Sequence, residues 1–258
     1  MKYPPHRISS TAARRAMTLI ELLVVISIIG VLAGLILPAV GKVKVKARVT
    51  QTVKDMADIK GACSVYQHDY NRLPGSAPAS QVGTDFTYGT TGTGYGTNIL
   101  NNNGAGYQAG NAELMVILTT TTFPNYTSDP SVANNARNPR RTGYYNAKSS
   151  GAQGATAGAG LGTDGVMRDP WGNPYIIALD FNYDNTVSNA VYRLRAVSQV
   201  AGGSPTGIEG LVGTGNGNND NYTLRDSVML FSFGPDGMLD FATKANTGVN
   251  KDNVTSWK

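Results

Sequence analysis

A single carboxylate, that of Glu21, stands in the most apolar part of this 258-residue chain. It is the only ionisable side chain in residues 17–40, a run long enough to cross a hydrocarbon core of about 30 Å. A charge in hydrocarbon costs on the order of 3 kcal/mol even on the more lenient insertion scales. Glu21 is therefore expected to have a partner and a function.

The residues ahead of this run form a basic leader. Residues 1–16 contain four basic side chains, no acidic one and no apolar stretch, so they are expected to stay in the cytoplasm. In a secretory signal peptide the cleavage site follows the apolar region, whereas here the junction of polar and apolar residues, Ala16-Met17, precedes it. Cleavage at this junction would leave the apolar helix on the mature protein.

The start of the apolar run, Thr18-Leu19-Ile20-Glu21, resembles the class III leader and N-terminal helix of type IV pilins and type II secretion pseudopilins. Gly30 and Pro38 also fall where that family commonly has a glycine and a helix-loosening proline. Two residues depart from the family pattern. Ala16 stands where the family prefers glycine, and Met17 stands where it prefers phenylalanine.

This resemblance implies roles for three residues. A prepilin peptidase would cut between Ala16 and Met17 and methylate the new amine of Met17. Glu21 would pair with the N-terminal amine of a neighbouring subunit as a filament assembles, which would satisfy its charge. The alternative is a plain N-terminal membrane anchor in which Glu21 is incidental.

One long helix is predicted to carry these residues. Apolar side chains recur at three- and four-residue steps beyond the membrane segment, without a proline, until Leu73-Pro74-Gly75 ends the helix. The sequence thus predicts a membrane-spanning segment over residues 17–41 and its continuation into a head over residues 42–72. A kink or loosened turn is expected near Pro38 and Gly41.

Residues 73–258 are predicted to form a single head in which a small antiparallel β-sheet packs on the helix, giving an α+β fold. The predicted strands are residues 175–179, 191–194 and 228–233, and a small helix is predicted at residues 113–118. Stretches rich in Gly, Asn, Thr and Ser are predicted to be long surface loops, at residues 81–110, 149–165 and 201–221.

The segment Arg168-Asp169-Pro170-Trp171-Gly172-Asn173-Pro174-Tyr175 resembles a signature of major pseudopilins, the subunits that build the type II secretion pseudopilus. It predicts a rigid turn, because its two prolines fix their own backbone angles and its glycine and asparagine accept left-handed geometry. Its tryptophan supplies a large apolar anchor. Asp169 is not expected to be catalytic, since no histidine or second acid is fixed nearby in the sequence.

The C-terminal residues carry a further motif, Phe231-Ser232-Phe233-Gly234-Pro235-Asp236-Gly237, followed by Asp252-Asn253-Val254-Thr255-Ser256-Trp257. These segments are similar to the turn and tail between which major pseudopilins hold a structural calcium ion. The resemblance implies Asp236 and Asp252 as the first calcium ligands, then the carbonyl of Phe233 and the side chain of Asn253, and finally Asp240.

Two features of this segment differ from the family's calcium loop. Asn253 stands where the family more often has an aspartate, and Lys244 and Lys251 lie between the two motifs. Calcium takes about six to eight hard oxygen ligands, and fewer negative ligands bind it more weakly. The alternative is a pair of ordinary Asp-Gly turns without a metal ion.

Composition disfavours several other classes of protein. The formal net charge is +5, but removal of the leader leaves 18 basic against 17 acidic residues, so nucleic-acid binding is not expected. Cys63 is the only cysteine, which excludes the intramolecular disulfide of many type IV pilins and predicts a buried apolar thiol. His68 is the only histidine outside the leader, which disfavours a Ser-His or Cys-His enzyme. Residues 180–185 lack the glycine of an EF-hand and predict a polar hairpin turn.

The sequence therefore predicts a non-enzymatic subunit that polymerises through its N-terminal helix into a type II secretion pseudopilus supporting protein export. The expected partners are a prepilin peptidase, further copies of the chain, other pseudopilins, the inner-membrane assembly platform and membrane lipid. The expected location is the bacterial inner membrane, as a single-pass protein with its head in the periplasm, and the pseudopilus after assembly. The alternatives are a type IV pilin for adhesion, motility or DNA uptake and a membrane-tethered binding module that does not polymerise.

Overall fold

The computed structural model describes residues 17–76, 83–89, 108–121, 136–152, 158–200, 205–213 and 220–257. The chain divides into two compact units, Met1–Val45 and Lys46–Lys258. The predicted leader, including Ala16, lies outside the described residues, as do large parts of the three predicted loops.

One uninterrupted helix, α1, spans Leu19–Tyr70. It ends where Asn71 adopts a left-handed φ of 51°, just before Leu73-Pro74-Gly75, as the sequence predicts. Helix α1 also passes Pro38 without a break, and a kink at this proline stays a prediction. In the second unit the helix buries an apolar stripe at the predicted three- and four-residue spacing, made of Met56, Ile59, Cys63 and Tyr66.

The second unit is built around a five-stranded sheet of order β2-β1-β5-β8-β9. Strand β5 pairs antiparallel with β1 and with β8, and β8 pairs antiparallel with β9. Strands β1 and β2 are parallel. The sheet strands are β1 Phe86–Tyr88, β2 Gln108–Ala109, β5 Ile176–Leu179, β8 Val228–Ser232 and β9 Val254–Thr255. Two small ribbons pair β3 Gly160–Leu161 with β4 Met167–Arg168, and β6 Val212–Gly213 with β7 Tyr222–Thr223. Besides the second part of α1, the described residues of this unit form the helices α2 Ala112–Thr119 and α3 Arg195–Ser198 and two short 3-10 helices at Ile208–Gly210 and Gly248–Asp252.

Both faces of the central strands are buried, which explains why β5 and β8 read as continuous apolar runs. One face packs Ile177 and Leu179 against α1 and α2 in the first core cluster. The opposite face packs Ile176 and Phe231 into a second cluster with residues from the segments around α3 and β7. The head is thus a helical layer, a sheet and a covering layer of loops, in agreement with the predicted α+β class.

The predicted strand at residues 191–194 is wrong. These residues form a turn that leads into α3, although Val191, Tyr192 and Leu194 are buried as a strand prediction would require. The cause is Asn189, whose Oδ1 accepts the main-chain N–H groups of Val191 at 2.9 Å and Tyr192 at 2.6 Å. A side chain that binds the main chain locally in this way competes with strand pairing.

The loop and hairpin predictions also need correction. Strands β1, β2, β3 and β6 all lie in segments predicted as loops, because strands of two or three residues carry almost no alternating pattern. The polar turn at residues 180–185 exists, since Asp180 accepts the N–H groups of Asp184 and Asn185. It is not a hairpin turn, because β5 pairs with β8 and not with the segment that follows the turn.

Candidate assembly site

The N-terminus of α1 is closed by a reciprocal pair of side chains. Glu21 Oε2 accepts the main-chain N–H and the hydroxyl of Thr18, both at 2.8 Å, while the Glu21 N–H donates to Thr18 Oγ1 at 3.3 Å. This arrangement is a capping box, which satisfies otherwise unpaired N–H groups of the first helical turn. Glu21 therefore has a structural role at the helix start in addition to the predicted role in assembly.

Oxygen Oε1 of Glu21 makes no hydrogen bond or ion pair with any residue that the structure describes. The side chain is exposed at the head of the helix, and its apolar neighbours are exposed too, with Met17 at 60% and Leu19 at 81%. Among the described residues, α1 is the one helix long and apolar enough to cross a membrane. Its polar Ser27 is satisfied within the helix, by the carbonyl of Val24 at 2.8 Å. The arrangement offers one carboxylate oxygen to an external cation within an apolar surface.

The predicted turn at residues 169–174 is organised by Asp169, which is fully buried. Its Oδ1 accepts the N–H groups of Trp171 and Asn173, both at 2.9 Å, and its Oδ2 accepts the hydroxyl of Ser232. Burial raises the pKa of Asp169, although these hydrogen bonds oppose the rise. Gly172 adopts a φ of 97°, which confirms its predicted left-handed geometry.

This turn connects the helix to the C-terminal motif. Tyr175, directly after the turn, donates its hydroxyl to Asp55 of α1 at 3.1 Å, and Asn173 Nδ2 donates to the carbonyl of Gly234 at 3.1 Å. Gly234 itself adopts a φ of 70°, and a side chain there would meet the carbonyl of Asp252 at 2.2 Å. The turn and the C-terminal motif, which the sequence predicts separately, are therefore joined by hydrogen bonds.

Two of the predicted calcium ligands approach each other in the C-terminal loop, residues 233–253, which joins β8 to β9. The N–H of Asp236 donates to Asp252 Oδ2 at 3.3 Å, and Asp236 Oδ1 accepts the N–H of Met238 at 2.8 Å. Burial and the charge of Asp236 raise the pKa of Asp252. Phe233, whose carbonyl is the next predicted ligand, buries its side chain in the second core cluster.

The remaining predicted ligands make hydrogen bonds of their own. The carboxylate of Asp240 accepts the N–H of Ala242 at 2.9 Å and the hydroxyl of Thr243. Asn253 donates its amide to Tyr192 Oη at 3.3 Å, and its own buried Oδ1 has no hydrogen-bond partner in the structure. Within the described residues, no three His, Cys, Asp or Glu side chains are grouped closely enough to hold a metal ion. The three predicted aspartate ligands do not form such a group, and calcium binding stays a prediction.

Comparison with known proteins supports the reading of the N-terminus. The family described as "Prokaryotic N-terminal methylation motif" matches residues 11–37 of this chain. Residues 11–37 are therefore similar to this motif. The match includes the junction Ala16-Met17 and Glu21, although cleavage and methylation there stay predictions.

Two proteins similar to this chain are type II secretion system core protein G of Klebsiella pneumoniae and of Pectobacterium carotovorum subsp. carotovorum. Each is 41% identical to the chain over 61 residues, which are 24% of this chain and 44% and 39% of the respective relative. The chain thus spans about two fifths of the length of the curated relatives it matches. No solved structure matches the chain significantly.

Sequence reasoning missed two features of this protein that local spacing could have revealed. The Thr18 to Glu21 spacing is that of a capping box. Arg168, the residue before the predicted turn, is buried and binds Asp164 through two hydrogen bonds of 2.9 and 2.6 Å. Asp164 lies in a segment predicted as a surface loop. Its negative charge, four residues before Arg168, is the sequence feature that could have predicted this ion pair. The pair fixes the loop against β4.

Proposed function

We propose that this chain is a membrane-anchored structural subunit that polymerises through α1 into a type II secretion pseudopilus. The observation that carries the proposal is the geometry of Glu21, whose Oε1 pairs with none of the described residues and lies at the head of an exposed apolar helix. A charge in that position is retained where a partner neutralises it. The free amine of Met17 in a neighbouring copy, exposed by cleavage after Ala16, is the partner that the prepilin-type leader would supply.

The type II secretion assignment follows from the relatives, which are both named as core protein G of that system. On this proposal the partners are a prepilin peptidase, further copies of the chain, other pseudopilins and the inner-membrane assembly platform. The subunit would sit in the bacterial inner membrane with its head in the periplasm until it enters the filament. The head contributes no catalytic group to this function.

The test separates the two roles of Glu21. Glu21→Gln keeps an oxygen that can accept both Thr18 donors, so the capping box survives while the charge is lost. Thr18→Val does the reverse, because it removes the hydroxyl and keeps the carboxylate. Ser27→Ala is a matched control, since this hydroxyl bonds only the carbonyl of Val24 in its own helix.

Filaments sheared from overexpressing cells, counted by electron microscopy, provide the readout. Glu21→Gln should insert into the membrane at the wild-type level and form no filaments, whereas Thr18→Val and Ser27→Ala should retain them. Filaments of Glu21→Gln at wild-type abundance would refute charge pairing. A wild-type protein that inserts and is processed but forms no filaments would favour the tethered binding module.

A further inference from the structure

The C-terminal loop is closed by the amide of one buried asparagine. Asn250 is 1% exposed, and its side chain makes three hydrogen bonds. Its Oδ1 accepts the N–H of Asp240 at 2.9 Å, and its Nδ2 donates to the carbonyls of Asp240 and Thr243, both at 2.7 Å. A neutral amide group thus lies where main-chain carbonyls of the loop converge.

Convergent carbonyls are the groups that a loop offers to calcium alongside its carboxylates. Here two of them are already occupied by N–H donors of Asn250. The carboxylates are engaged in a similar way, because Asp236 accepts the N–H of Met238 and Asp240 accepts the N–H of Ala242. Each of these oxygens already uses a lone pair on a donor of its own loop and therefore offers fewer sites to a cation.

We propose that Asn250 holds the C-terminal loop in place of a metal ion, so that the head of this protein folds and keeps its stability without calcium. Through Nδ2 the amide donates to the carbonyls of Asp240 and Thr243, and through Oδ1 it accepts the N–H of Asp240. These three hydrogen bonds close the loop from within. The contact between Asp236 and Asp252 is then a hydrogen bond from a main-chain N–H to a carboxylate at the edge of the loop, and the two side chains are not metal ligands.

Substitutions of Asn250 and of the carboxylates should affect the Tm differently. Asn250→Ala removes the side-chain partner of two partly buried carbonyls and one N–H, and it should lower the Tm by roughly 5–10 °C. Asn250→Asp keeps the acceptor and loses both donors, so it should lower the Tm as well and it provides a second variant if the first does not fold. Asn146→Ala removes an exposed amide with no hydrogen bond in the described structure and should leave the Tm unchanged.

Carboxylate variants distinguish the amide from a metal. Asp236→Asn retains the oxygen that accepts the Met238 N–H and relieves the repulsion on Asp252, so the Tm should stay the same or rise. A calcium ligand would behave in the opposite way, because its loss would lower the Tm whenever calcium is present.

Thermal unfolding of the full-length protein in detergent, followed by tryptophan fluorescence, gives the readout because both tryptophans, Trp171 and Trp257, lie in the head. The wild-type Tm should be the same in millimolar calcium and in excess chelator, with Asn250→Ala lower in both. A calcium-dependent rise of several degrees in the wild type, abolished by Asp236→Asn, would overturn the proposal. So would an unchanged Tm in both Asn250 variants.

Discussion

Replacement of Asp85 by asparagine should stabilise the head at neutral pH. Asp85 precedes β1 and ties it to the polar turn region, since its Oδ2 accepts the N–H of Ser188 at 2.7 Å and the Ser188 hydroxyl at 2.8 Å. Its Oδ1 is buried and has no hydrogen-bond partner among the described residues. Burial, with added repulsion from Asp180 and Asp184, raises the pKa of Asp85 to about 6.

The sign and size of the effect follow from that pKa. A carboxyl that titrates near 6 in the folded protein and near 3.8 when unfolded holds its proton more tightly in the folded state. The folded state is therefore penalised progressively as the pH rises from about 4 to about 6, and fully above that range. At about 1.4 kcal/mol per pH unit the ceiling is about 3 kcal/mol, which solvent screening of this partly exposed group reduces to about 1–2 kcal/mol.

Asp85→Asn retains an oxygen for the two Ser188 donors and removes the charge. At about pH 7.5 it should raise the Tm by roughly 3–6 °C, and at about pH 4 it should change the Tm little, because Asp85 is then largely protonated. Thermal unfolding of wild type and variant in detergent at both pH values measures this difference. Asp184→Asn is the control of opposite sign, since hydrogen bonds from Thr186 lower the pKa of Asp184 and its charge stabilises the fold.

Two results would refute this reasoning. A lower Tm of Asp85→Asn at neutral pH would mean that the carboxylate is stabilising despite its unpaired oxygen. An equal change in Tm at both pH values would mean that the effect comes from packing and not from the charge.

Three more outcomes are expected. Arg168→Ala should lower the free energy of unfolding in urea by about 3–5 kcal/mol, because Asp164 would stay buried without its counter-charge; a loss below about 1 kcal/mol would contradict this account. Ser232→Ala should cost about 1–3 kcal/mol in the same assay, since buried Asp169 loses a donor, and a neutral effect would show that this bond is dispensable. Cys63 is fully buried and its pKa is raised to about 12, so iodoacetamide should modify it in denaturant and spare it in the native protein; rapid native alkylation would show that the helix stripe is open.

Long patterns in the sequence predict the framework of this protein well. The apolar stripe of α1 is recognisable because it repeats over several helical turns. The end of the helix is recognisable because Pro74 cannot continue it. Strands β5 and β8 are recognisable because they are buried on both faces and therefore continuously apolar. Helical periodicity, proline and continuous apolar runs are all visible in the local sequence, and tertiary contacts reinforce the structures that they predict.

The failures have equally specific causes. The strand predicted at residues 191–194 is apolar for burial, but hydrogen bonds from its N–H groups to Asn189 hold it as a turn. The hydrogen bond between Asp169 and Ser232 joins residues far apart in the chain, so it cannot be predicted from either motif alone. Strand β2 pairs in parallel with β1 in a segment whose composition is that of a loop. Each case depends on a contact between distant or non-repeating residues, which leaves no periodic trace.

The most direct test of assembly through Glu21 is a zero-length carbodiimide cross-link in filaments grown from isotopically light and heavy subunits. Because the cross-linker joins a carboxylate to an amine already in contact, mass spectrometry should find Glu21 bonded to the Met17 amine in peptides that mix both isotopes. Filaments of normal abundance in which this mixed-isotope peptide is absent, or in which Glu21 is joined only within one chain, would contradict the account.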